Sequence, residues 1–269
     1  MRVTGTAPGV WEVDAYPPTS SPVRVRARTG YQPFIGEVAP GASLGAWAGL
    51  VGVGALAGLA LLALLSSRAQ LPAIPIMLVA VIASLVGVVG AKVYYLVQAP
   101  GRGSWTSPGG MCIQGFVITA LAAVAAGSWL LGLPLLVLMD LATPPLLLGM
   151  AIGRLGCWRG GCCAGRLTSG RVAVWGSDRR LGGRRIPTQF IEAAIAAALT
   201  VATLLLLGLD PRPEGAVLVA GLGAYVLARQ LVFPFRSLSR RTSVGSLVAT
   251  LVSGLALGGA VIVMIVSAL

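Results

Sequence analysis

Seven apolar runs divide this chain between residues 44 and 268. Each is close to the roughly 20 residues that a helix needs to cross about 30 Å of hydrocarbon. The predicted spans are residues 44–66, 72–98, 111–131, 133–152, 187–208, 214–235 and 244–268. Only 10% of the residues are charged and mean hydropathy is +0.88, whereas a soluble domain carries about a quarter charged residues. Most of the surface must therefore face something other than water. The 37 glycines suit close helix–helix approach in lipid, where packing drives association. The expected fold is all-α: a polytopic membrane protein of about seven transmembrane helices.

Residues 1–42 read as a polar N-terminal arm, with Trp11, Tyr16 and Tyr31 suited to a membrane interface. The arm contains no short apolar core followed by a cleavage site, so insertion is expected to rely on the first span. Residues 43–269 form the membrane domain. Most of its connections are short, which predicts antiparallel neighbours. The exception is a Gly/Arg/Cys-rich loop over about residues 153–186, and a long irregular connection inside a compact domain is usually functional or disordered.

The charge is one-sided. Twenty basic residues face eight acids, and all of the basic residues except Lys92 are arginines. Guanidinium forks match phosphate geometry, so the expected partners are the membrane and anionic phospholipid headgroups. Nucleic acid is not expected, because the arginines are scattered through short loops. Sixteen basic residues lie on the face that holds the N-terminus and the even-numbered loops, against Arg68 and Arg212 on the other. The positive-inside rule would make the rich face cytoplasmic. Arginines kept for phosphate binding escape that rule, so orientation stays open. The chain has no histidine, which removes the commonest general base and a major metal ligand. No cofactor and no metal are expected.

The densest signal runs from Asp140 through Thr143-Pro144-Pro145 and Gly149 to Gly153-Arg154-Leu155-Gly156-Cys157-Trp158-Arg159-Gly160-Gly161-Cys162-Cys163-Ala164-Gly165-Arg166. An acid within an apolar span usually faces the bundle interior with a partner, and Arg154 is the expected partner of Asp140. Arg154 equally suits a plain anchoring role, snorkelling from the end of the helix. Glu192, near the start of the fifth span, is open to pairing with Arg185 or with a loop arginine, and Lys92 to an interface snorkel or a headgroup contact. All four cysteines, Cys112, Cys157, Cys162 and Cys163, fall inside two motif loops. They are open to reading as small hydrophobes, a disulfide, thiolates activated by arginine or a soft-metal site. The spacing of Cys157 to Cys162 and Cys163 is not a standard zinc pattern.

These residues resemble the prolipoprotein diacylglyceryl transferases of bacterial inner membranes. Asp140, Pro144, Gly153, Arg154, Gly156 and Gly165 fall in register on that family's Asp, Ala-Pro and Gly-Arg-Ile-Gly-Asn-Phe…Gly positions. Four further stretches agree in the same order. They are Gly90-Ala91-Lys92-Val93-Tyr94-Tyr95; Gly109-Gly110-Met111-Cys112-Ile113-Gln114-Gly115; Arg185-Ile186-Pro187-Thr188-Gln189 with Glu192; and Arg229 to Arg236 followed by Gly245-Ser246-Leu247. The resemblance runs from about residue 44 to the C-terminus.

It implies transfer of the diacylglyceryl group of phosphatidylglycerol to the thiol of a prolipoprotein lipobox cysteine, in the bacterial plasma membrane, with glycerol phosphate leaving. Under that reading Arg154 and Arg229 hold the phosphate, and Asp140 holds Arg154. Lys92, Gly110, Gly153, Gly156, Cys157, Gly165, Arg185 and Glu192 line the substrate site. Gln114 occupies the place of the family's catalytic His, and an amide cannot take a proton at neutral pH. Cys157 and Cys162 stand where the family has Asn and Glu, Ala48 where it has a first-span Tyr, and Phe233 where it has a Glu. Asp140, Glu192 or a cysteine thiolate are left as candidate bases. Two other readings stay open: a non-catalytic relative that binds phospholipid or a partner, and a thiol-based redox or soft-metal membrane protein.

Overall fold

A computed structural model describes residues 9–15, 23–29, 37–39, 42–43, 45–98, 105, 112–178, 182–237 and 243–268. Among them, seven helices follow four short strands. The strands are β1 (Gly9–Ala15), β2 (Val23–Thr29), β3 (Glu37–Ala39) and β4 (Ala42–Ser43). Then come α1 (Ala46–Arg68), α2 (Ala73–Gln98), α3 (Ile113–Leu130) and α4 (Leu135–Arg159). A hairpin of β5 (Val174–Ser177) and β6 (Gly182–Arg185) precedes α5 (Thr188–Leu207), α6 (Ala216–Val232) and α7 (Ser243–Ala268). Six of the helices are long and apolar enough to cross a membrane, and α3 carries a shorter apolar stretch, Gly115–Leu130. Their outward faces are apolar: Leu56, Ile82, Leu205 and Leu255 are all more than half exposed. Side chains of that kind stay outside only where the surroundings are themselves apolar. The protein is an all-α, multi-pass membrane protein.

The chain forms two compact units. One consists of Met1–Gly54, Gly149–Ala197 and Leu227–Thr250, and the other of Ala55–Leu148, Ala198–Val226 and Leu251–Leu269. In the second unit, Leu62, Ile76, Val79, Leu133, Leu138 and Leu141 make the apolar core. Helices α2 and α3 pack there through missing side chains. A Cβ on Gly115 would lie 2.4 Å from both Gly90 O and Tyr94 Cβ, and Thr119 Oγ1 donates to Val86 O across the same seam at 3.2 Å. In the first unit, α1 and α4 meet the same way, with a Cβ on Gly54 only 2.7 Å from Gly149 O. Such contacts let backbones approach where lipid gives no hydrophobic drive for association.

One expectation needs correction. The fourth span does not stop at residue 152: α4 runs on to Arg159, so the first part of the supposed 153–186 loop is helix. Gly156 stays within it, and a Cβ there would stand 3.2 Å from Trp47 Cα and 3.1 Å from Leu50 Cβ, tighter than an ordinary contact. The rest of that segment includes the β5–β6 hairpin, paired from Val174↔Arg185 to Ser177↔Gly182. The polar arm contains short extended strands. Its β1 and β2 pair antiparallel, with Glu12 opposite Arg26 and Asp14 opposite Arg24. Strict alternation in Val-Arg-Val-Arg-Ala-Arg-Thr is a strand signal.

A buried guanidinium–carboxylate site

The end of α4 sets up the site. Gly161 takes a left-handed φ of +61°, its N–H bonds to Trp158 O at 3.3 Å, and Cys162 N–H bonds to Cys157 O at 3.0 Å. These two bonds make the glycine-terminated helix end known as a Schellman motif, which brings the third-last helical position against the second residue past the cap. Both positions here are cysteines, Cys157 and Cys162. The next residue, Cys163, also has a positive φ, +55°, uncommon for a residue with a side chain. The three sulfurs lie within 4.8 Å of one another. The start of α5 fastens this turn: Gln189 Nε2 donates to Cys162 O at 3.0 Å and Thr188 Oγ1 to Cys163 O at 3.2 Å. All four cysteines are free thiols, so no disulfide joins the motif loops. Cys112 belongs to the other unit, at the N-cap of α3.

Downstream of the turn, residues 164–168 run between two other segments. Arg166 N–H bonds to Phe235 O and Ser237 N–H to Ala164 O on one side, and Ile186 N–H to Arg166 O on the other. Gly165 bridges Arg236, and a Cβ on it would stand 2.1 Å from Ile186 O. Only glycine fits. This junction holds Arg236 beside α5. There Glu192, 2% exposed, takes Arg236 Nη2 on Oε1 as a hydrogen-bonded ion pair. Arg154 Nε lies 2.9 Å from Oε2 of the same carboxylate, an ion pair angled away from ideal hydrogen-bond alignment. One buried carboxylate thus joins two largely buried guanidiniums. A third, Arg185, donates to Gly165 O at 3.0 Å and pairs with Asp178 at 3.5 Å.

The field near these groups favours negative charge. The Cys163 thiol is held well below its ordinary range by hydrogen bonds from Cys157 and Cys162, with Arg236 and Arg154 adding to the effect. Cys162 is pushed up by its hydrogen bonds to Cys157 and Cys163 and by burial. Arg236 keeps spare capacity: its buried Nε–H has no acceptor among the described residues.

Arg154, Cys157, Cys162, Gly165, Arg185 and Glu192 are therefore brought together as the sequence suggested, but one partnership was misassigned. Glu192, not Asp140, holds Arg154. Asp140 lies in the other unit, where its two oxygens accept the N–H groups of Gly215 and Leu218, each at 2.9 Å, at the N-terminus of α6. An acid buried in an apolar bundle needs donors, and the exposed end of a helix supplies them together with a favourable dipole. Asp140→Asn is expected to lower stability by about 1–2 kcal/mol, because an amide offers one acceptor where two N–H groups converge. Thermal denaturation in detergent would measure it.

Lys92, on α2, is buried in the second unit. Gly153 lies on α4, with room for an ordinary contact to Val51. Arg229 sits half-buried in the last turn of α6 and forms no ion pair among the described residues. Gln114 is in the first turn of α3, its side chain outside the described residues, as is Gly110 altogether. Tyr16 and Tyr31 also lie outside them. Arg236 and Gln189 were missed as site residues. For Arg236 a signal was present: Pro234 stops α6 just before it, and Glu192 required a cation.

A bundle of apolar helices with two largely buried guanidiniums on one carboxylate is the site of a multi-pass membrane protein. The chain belongs to the prolipoprotein diacylglyceryl transferase family, whose model matches residues 35–267. That is a family of transferases in lipoprotein biosynthesis. No curated protein matches the chain significantly.

Proposed function

We propose that the chain transfers the diacylglyceryl group of phosphatidylglycerol to the thiol of a prolipoprotein lipobox cysteine, in the inner membrane of a bacterium. The observation that carries this reading is the trio Arg154–Glu192–Arg236, in which two guanidiniums share one carboxylate. Their remaining positive charge, and the spare Nε–H of Arg236, suit a phosphodiester. In the reaction the sulfur of the acceptor thiol attacks the glyceryl carbon, and the proton it gives up is taken by the departing phosphate oxygen. The carbon–oxygen bond to phosphate breaks, and the electron pair leaves with glycerol phosphate. Preorganised cations at the position of that developing charge supply transition-state stabilisation without reorganisation. Glu192 acts by fixing both guanidiniums, and Asp140 by holding α6; neither is the proton acceptor in this reading. Arg229 and Lys92 are assigned to headgroup contact, and Gly165 to the close passage of backbone that keeps Arg236 in place.

A second reading has one observation in its favour: Gln114 stands at the place of the family's catalytic His. It holds that the protein binds phospholipid at the same trio without turnover.

Complementation of a bacterial strain depleted of its own diacylglyceryl transferase separates the two. The wild-type chain is expected to restore growth and lipoprotein modification, and Arg154→Ala and Arg236→Ala to lose both. Restoration by neither wild type nor variants, with the protein present in the membrane, would favour the second reading.

A further inference from the structure

The three thiols at the end of α4 have no part in the reaction proposed above. Their sulfurs lie within 4.8 Å of one another. Three sulfurs around one ion at about 2.3 Å stand about 4.0 Å apart in a trigonal plane, so small rotamer adjustments close the ring. The turn is built to present them. The helix-ending bonds bring Cys157 and Cys162 together, and Cys163 accepts a left-handed backbone at φ +55° to join them. That conformation is unfavourable for a residue with a side chain, and it persists where the surroundings enforce it. Here Thr188 and Gln189 do so, through the carbonyls of Cys163 and Cys162. The donors are all soft, and among the described residues no carboxylate completes the cluster. The chain has no histidine.

We propose that Cys157, Cys162 and Cys163 form a three-coordinate thiolate site for a soft monovalent d10 metal ion of the copper(I) class. Thiolates select such ions, while a closed zinc site takes four ligands. Binding releases the protons still carried by the thiols, and three thiolates around one monovalent ion leave two negative charges. Arg154 and Arg236 stand close enough to act on Cys163 and offset that charge. The ion would tie the last turn of α4 to the segment that carries Gly165. Arg154 and Arg236 also serve the proposed transfer, so the test reads metal binding and not activity.

The reduced full-length protein in nanodiscs, under argon, is titrated with copper(I) against a chromophoric copper(I) chelator. One equivalent per chain is expected to leave the chelator, with an X-ray absorption edge of three-coordinate copper–sulfur type. In wild type, copper(I) should lower the number of maleimide-reactive thiols by the three of the cluster. Cys162→Ser/Cys163→Ser should weaken binding on the order of 100-fold or more, since most of the ligand set is gone. That variant keeps Cys112 and Cys157, so copper held loosely by any thiol would survive in it. No withdrawal from the chelator, an unchanged thiol count, or undiminished binding by the double variant would each overturn the proposal. Tight zinc(II) binding with copper(I) left on the chelator would overturn the choice of ion.

Discussion

Glu192→Ala is expected to destabilise the protein by about 3–5 kcal/mol, the range for removing one partner from a buried ion pair. Two guanidiniums would be left with no carboxylate between them, Arg236 at 4% exposure and Arg154 with its side chain 12% exposed. Neither reaches bulk water without leaving its place, and like charges in a medium of low dielectric repel strongly. Glu192→Gln keeps the shape and one acceptor oxygen, so its loss of stability should be clearly smaller. Its loss of transferase activity should be comparable, because the guanidiniums lose the charge that fixes them. Thermal denaturation in detergent, read beside lipidation of a lipobox peptide, separates the two effects. If Glu192→Ala melted like wild type, the ion trio would not be part of the folded protein.

Gly165→Ala should be nearly as damaging, although it adds a single methyl group. The new Cβ would stand 2.1 Å from Ile186 O and 2.9 Å from the carbonyl carbon, which is backbone and does not swing aside. Relief requires separating residues 164–168 from the Ile186 segment, and the bonds Ile186 N–H to Arg166 O and Arg166 N–H to Phe235 O are at risk together. Overpacking usually costs about 1–3 kcal/mol, and loss of these backbone bonds adds about 1 kcal/mol each. Because Arg236 is bridged to Gly165, activity should fall below what the remaining folded fraction explains. Gly170→Ala is the control. It lies in the same connecting segment, and its Cβ would meet nothing nearer than Thr168 Oγ1 at 3.4 Å. Membrane yield, melting temperature and specific activity of the two variants measure the difference.

How much of this could be read from the sequence follows from the range over which each signal acts. Span length and hydropathy are local, so six membrane-length helices and one shorter one stand close to where the apolar runs put them. The end of α4 was misplaced because Gly153 and Gly156 read as loop residues when taken alone. Gly156 instead lets α4 pass close to Trp47 and Leu50, about a hundred residues away in the chain. That an acid at 140 must be satisfied was legible. That backbone N–H groups at Gly215 and Leu218 do so was not, because a helix end carries no side-chain signature of its availability. Glu192 was expected to pair with Arg185 or a loop arginine, and its partners are two of the loop arginines, Arg154 and Arg236. Choosing among arginines requires knowing which backbone segments run side by side. Gly165 was found as a motif position, while the reason for it, the carbonyl of Ile186, is tertiary. The meeting of Cys157 and Cys162 was available in principle, since two glycines after an apolar helix signal the turn that joins those positions.

The central claim is that Arg154 and Arg236, fixed by Glu192, receive the phosphate of an anionic phospholipid whose diacylglyceryl group is then moved to a thiol. The most direct measurement is intact mass spectrometry of a lipobox peptide incubated with the protein in nanodiscs of phosphatidylglycerol or of a zwitterionic phospholipid. The expected result is a peptide heavier by one diacylglyceryl group, attached at its cysteine, in the anionic nanodiscs only, and absent with Arg154→Ala or Arg236→Ala. Unmodified peptide in both lipids, from folded protein, would contradict transfer. Equal modification by the two arginine variants would contradict the site.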